Sequence, residues 1–147
     1  MFFVEQKECA MAKLLTLMVS VCLAATLASA PLRAEEKIAD VEQAMKIIAR
    51  NYRAISKSDD PALLTRDLQA IRSAAQQAQG MIPNKPKGMT EHSEAHKTYL
   101  TGLSKLEDQT DQALALLADG KVPEAKKVIG EMKTVRDHYH KELKVKD

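Results

Sequence analysis

Four apolar stripes, each stepping by three and four residues, constrain this chain more than any other feature. Ile38, Val41, Met45, Ile48, Tyr52 and Ile55 alternate such steps without a break, which puts all six on one face of an α-helix. Asp59, Asp60 and Pro61 then supply a capping carboxylate and a proline suited to a helix start. Leu64, Leu68, Ile71, Ala75 and Ala78 repeat the rhythm as far as Gly80. Residues 81–90, MIPNKPKGMT, carry Pro83, Pro86 and Gly88 and read as the one long loop. Tyr99, Leu103, Leu106, Thr110, Ala113 and Leu117 form the third stripe. Gly120 stops that helix and Pro123 restarts another within a few residues, which forces an antiparallel neighbour. The fourth stripe is Ala125, Val128, Met132, Val135 and Tyr139, with Ile129, Arg136, His140 and Leu143 on its shoulder.

Helices of about 20 residues span about 30 Å. Joined by two very short connections, they bury their stripes only as an all-α, antiparallel up-down-up-down four-helix bundle. No β pattern competes. The chain has no Trp, two Phe and three Tyr in 147 residues, so its core is built from aliphatic side chains and methionine. The polar faces, such as Glu42, Lys46, Arg50 and Arg53 on the first helix, read as solvated surface.

The bundle accounts for residues 35–147. Residues 1–34 read as a secretory signal: Leu14 to Ala30 is a nearly unbroken apolar run of 17 residues, preceded by Lys13 and followed by small-residue cleavage points. A spanning helix needs about 20 such residues, so a retained membrane anchor is the weaker reading. Cleavage fits after Ala30 or, better, after Ala34, because Pro31 would constrain the backbone the peptidase must hold extended. Met11 is the better start, since Glu5 and Glu8 cancel Lys7 and Lys13, whereas a start at Met11 leaves a positive amino terminus and Lys13. Both cysteines, Cys9 and Cys22, fall in this leader. The exported remainder then has no disulfide or thiolate site, and packing alone must hold it together.

Charge and motifs narrow the function. The whole chain has 22 Lys plus Arg against 20 Asp plus Glu, without the basic excess of a nucleic-acid binder. It contains no G-x-S-x-G, P-loop or H-E-x-x-H pattern, and its carboxylates are spread along solvent faces. These absences point away from enzymes. Covalent c-type haem is excluded by the lack of C-x-x-C-H.

Bundle topology brings together two residues that can carry chemistry. The start of the first helix lies beside the end of the fourth, so Met45 and His140 can face each other across the open end of the core. A thioether and an imidazole so placed can hold an iron porphyrin. The same two residues also suit plainer roles, a methionine filling the core and a histidine complementing a helix C-terminus.

The residues match a known pattern. From Ala39-Asp40-Val41-Glu42-Gln43-Ala44-Met45 to Lys133-Thr134-Val135-Arg136-Asp137-His138-Tyr139-His140, and on to about Lys144, the chain resembles the soluble periplasmic cytochrome b562 family without a gap. Pro83, Ala113-Leu114 and Gly120-Lys121 fall in register. The resemblance implies one non-covalent haem b per chain, held by Met45 and His140 as axial ligands in a periplasmic electron carrier with redox partner proteins. It also implies that Arg136, one turn before His140, pairs with a haem propionate; ordinary surface charge is the alternative. Family members carry phenylalanines beside the haem on the third helix. Tyr99 and Leu103 stand there in this chain and reshape the pocket.

A rival cluster is His92 and His96, four residues apart, which extend the third stripe backwards and are flanked by Met81 and Met89. An i, i+4 histidine pair can chelate copper or zinc, which would make the protein a haem-free metal binder. A cofactor-free interaction module is the remaining alternative. His138 lies about 200° around the helix from His140 and is expected to face solvent.

Overall fold

A computed structural model describes residues 37–84 and 86–145. The leader and both of its candidate cleavage sites lie outside these residues. Four α-helices make up the bundle: α1 (Val41–Ile55), α2 (Pro61–Gln79), α3 (Glu94–Ala118) and α4 (Val122–Glu142). The all-α up-down-up-down fold expected from the stripes is the fold observed. The helices are less uniform than expected, from 15 residues in α1 to 25 in α3.

Local chemistry sets the ends. Asp40 caps α1, its carboxylate accepting from Gln43 N at 2.7 Å, and Gln43 Oε1 accepts in return from Ala39 N at 2.8 Å. Ile38 therefore lies ahead of the helix its stripe seemed to begin. It is still buried, because its N–H donates to Gln77 Oε1 of α2 at 3.0 Å. Asp60 caps α2 with Pro61 at the first helical position, as the sequence indicated. At the end of α3, Gly120 takes a φ of 73°, and Lys121 N and Gly120 N donate to the carbonyls of Leu116 and Leu117. This pairing closes the helix and turns the chain directly into α4.

Lys126 holds the neighbouring turn between α1 and α2. From α4 its Nζ donates to the carbonyls of Ser58 at 2.6 Å and Ile55 at 3.2 Å, where α1 runs out of intrahelical donors. Lys126→Met keeps the stem but removes these charge-assisted bonds. The expected loss is about 1–2 kcal/mol of folding stability, measured by urea or thermal melting of the haem-free protein.

The core has two parts. At the end carrying the short turns, Ile55, Leu64, Leu68, Ile71, Ile129 and Met132 close it with large, fully buried side chains. At the other end α2 presents only Ala74, Ala75 and Ala78, packed with Ala44, Tyr99, Leu103 and Leu143. The helices pair as α1 on α2, α2 on α3 and α3 on α4, and no comparable seam joins α1 to α4. The fourth side of the bundle is thus parted, and the functional residues lie along it.

Candidate functional site

The parted side is a cleft of about 1200 Å³ walled by α1, α3 and α4, with the 81–84 segment at its edge. That is above the size of most single small-molecule pockets, about 300–1,000 Å³, and suits a large flat ligand. Ile48, Ile71, Leu103, Leu106 and Met132 supply apolar walls. The α1 stripe explains the opening: Ile55 at its closed end is fully buried, whereas Val41, Met45, Ile48 and Tyr52 are only partly so because they face the cleft.

Met45 and His140 both line this cleft, from α1 and α4 respectively, and both are half-buried. His140 sits in the last turn of α4, where its carbonyl accepts from Val145 N at 2.9 Å. Lys144, just before Val145, adopts a left-handed φ of 53°. This cap turns the chain back over the core and ties down the turn carrying the imidazole.

Arg136 also lines the cleft, but its guanidinium is engaged: Nε donates to Asp137 Oδ1 at 2.8 Å. Lys133, one turn earlier, donates to the other oxygen at 2.8 Å. Hydrogen bonds from Lys133 and then Arg136 hold the Asp137 carboxyl below its ordinary range. Asp137 belongs to no motif in the sequence, although the Lys133 to Asp137 spacing of four marks a helical ion pair. Glu42, Lys46 and Arg53 are exposed, as expected of solvated surface, and stand at the rim of the cleft. Lys46 is paired there with Glu42 at 2.8 Å.

Tyr99 lines the cleft from α3 and is almost fully buried. Its hydroxyl donates to the Ala78 carbonyl at 2.8 Å, tying α3 to α2, and burial pushes its pKa up to about 12. The neutral phenol is thus favoured in the fold. Its contribution is complete below the unfolded value of about 10 and is lost as pH rises through about 12. With no Trp to obscure the signal, an ultraviolet tyrosinate titration should show one ionisation near pH 12 that Tyr99→Phe removes.

His92 and His96 fall on different elements, one exposed and one buried. Ser93 caps α3, accepting from His96 N at 3.2 Å, so the helix starts after His92, which is exposed in the preceding turn. His96 turns inward at 6% exposure, its Nδ1 bonded to the Glu91 carbonyl at 2.8 Å and its ring stacked on Tyr99. The serine cap takes precedence over the backward continuation of the stripe. Among the described residues no group of three His, Cys, Asp or Glu side chains is placed to hold a metal ion. His138 is exposed, as expected.

The donors lining the cleft are a soft thioether and an imidazole on different helices, within apolar walls and beside a rim of mostly paired charges. That chemistry fits an iron porphyrin. A model of the cytochrome b562 family matches residues 40–144. The chain belongs to this family. Similar proteins are two from Yersinia pestis, the probable soluble cytochrome b562 2, 40% identical over 72% of this chain and 83% of that protein, and the probable soluble cytochrome b562 1, 34% identical over 69% and 80%. Cytochromes b562 are haem-binding electron carriers and not enzymes, in keeping with the lack of catalytic motifs. Among the described residues no helix is long and apolar enough to cross a membrane.

Proposed function

We propose that the chain binds one haem b per molecule, without covalent attachment, between Met45 and His140, and shuttles single electrons in the periplasm after residues 1–34 are removed. The observation that carries this reading is the lining of one cleft by both side chains, one from the first helix and one from the last. The bound haem supplies a one-electron iron couple. Met45 and His140 would hold its iron through a thioether and an imidazole, which would leave no ligand position for dioxygen or a substrate. A thioether donates less strongly than a second imidazole, which favours the ferrous state and raises the potential. Leu103, Leu106 and Ile48 exclude water from the cleft. Arg136 pairs with a propionate while sharing its guanidinium with Asp137. Packed helices hold both donors in place between redox states, which keeps reorganisation small.

Reconstitution with haem tests the reading. The protein should acquire a Soret band and, on reduction, sharp α and β bands of a six-coordinate low-spin iron. Colourless protein, or a broad high-spin spectrum, would contradict it. Amino-terminal sequencing of the periplasmic fraction should start at Glu35, or at Pro31 if the earlier cleavage site is used. An intact amino terminus in the cytoplasm would contradict export.

A further inference from the structure

Glycine in a helix interior is destabilising relative to alanine, yet Gly102 lies well inside α3 (Glu94–Ala118). The packing around it gives a reason. A Cβ at position 102 would lie 2.8 Å from Cγ, 3.1 Å from Cδ1 and 3.2 Å from Cβ of Tyr139 on α4. Cβ is the stem of the side chain and Cγ and Cδ1 are the ring atoms nearest to it, so none of the three is a flexible tip. Turning χ1 carries Cγ and Cδ1 away but leaves Cβ at a tight 3.2 Å, so a methyl group here must unseat the ring, push α4 back, or both. Both residues line the cleft, and the residue after Tyr139 is His140.

We propose that Gly102 is a notch that seats Tyr139 and thereby sets the depth and rotation of the last turns of α4, making the two a positioning pair for His140. This inference rests on the proposed ligation. Metal–ligand distances tolerate only about 0.2 Å of error, and relieving the 2.8 Å contact, by unseating the ring or shifting α4, disturbs the turn that carries His140. His138, whose ring meets Tyr139 edge-on at 4.9 Å, flanks the seated ring on its own helix. Neither Gly102 nor Tyr139 is a ligand.

The test is a double-mutant cycle on haem binding together with a measurement on the haem-free protein. Gly102→Ala should weaken haem binding about tenfold or more, the usual scale for groups that orient a metal ligand, and deplete the low-spin form. Tyr139→Phe keeps the stem and ring and should match wild type. In a Tyr139→Ala background, which cannot clash, adding Gly102→Ala should cost nothing further. In haem-free protein the Gly102 α-proton resonances should be shifted by the ring in wild type and Tyr139→Phe, and should lose that shift in Tyr139→Ala. An equal loss of affinity with and without the Tyr139 ring would mean that the methyl group obstructs the haem directly, and it would overturn the inference. So would full affinity in Gly102→Ala, or Gly102 resonances indifferent to residue 139. Wild-type protein that takes up haem without forming the low-spin state would overturn the ligation and the inference with it.

Discussion

Replacing Met45 by alanine is expected to abolish the six-coordinate low-spin spectrum of the haem-loaded protein and leave a five-coordinate high-spin iron. Replacing His140 by alanine should do more, lowering haem affinity about 100-fold or more, since losing a ligand exceeds the 10–100-fold typical of losing a group that merely orients one. The haem-free fold should survive both changes. Met45 and His140 are only half-buried and line the cleft, apart from the large residues that close the core, so haem-free melting should stay close to wild type. Met45→His supplies the complementary result. It keeps two axial donors but exchanges a weak thioether for an imidazole, so the low-spin spectrum should persist while the reduction potential falls.

Leu68→Ala should show the reverse pattern. Leu68 is fully buried in the cluster at the closed end of the bundle and does not line the cleft. Truncating it removes packed methyl groups and leaves a cavity, at an expected cost of about 2–5 kcal/mol in the haem-free protein. The spectrum of the haem-loaded variant should be that of wild type, and haem should recover part of the lost stability because it binds only the folded state. Paired with Met45→Ala, this variant separates the end of the bundle that holds the fold together from the end that binds. Equilibrium denaturation with and without haem measures both.

The bundle was legible because periodicity is a local property. Four stripes, the Asp60-Pro61 start and the Gly120 to Pro123 turn each express a preference of the backbone that tertiary packing left in place. Where neighbours overrode local pattern, the reading departed. Ile38 keeps the helical spacing but is recruited ahead of the helix by Gln77 of α2. His92 keeps the spacing of a chelating pair but lies before the Ser93 cap. The cleft itself is a property of two helices that part, and no stripe on one helix records its distance from another. Tyr139 reads as one more apolar position on α4, and its significance depends on a missing Cβ 37 residues earlier in the chain. Asp137 is illegible for a different reason: charged residues on helix faces are usually solvated, and only the cleft rim makes its hold on Arg136 and Lys133 relevant.

Proton magnetic resonance of the reduced, haem-loaded protein addresses the ligation most directly. A methionine methyl bound to low-spin ferrous haem lies over the porphyrin face, and the ring current moves it far upfield of every other methyl. One such signal is expected, it should be lost in Met45→Ala, and it should persist in variants of the remaining methionines. A Met45 methyl at the ordinary position of a packed side chain in the haem-loaded protein would contradict axial binding by that sulfur.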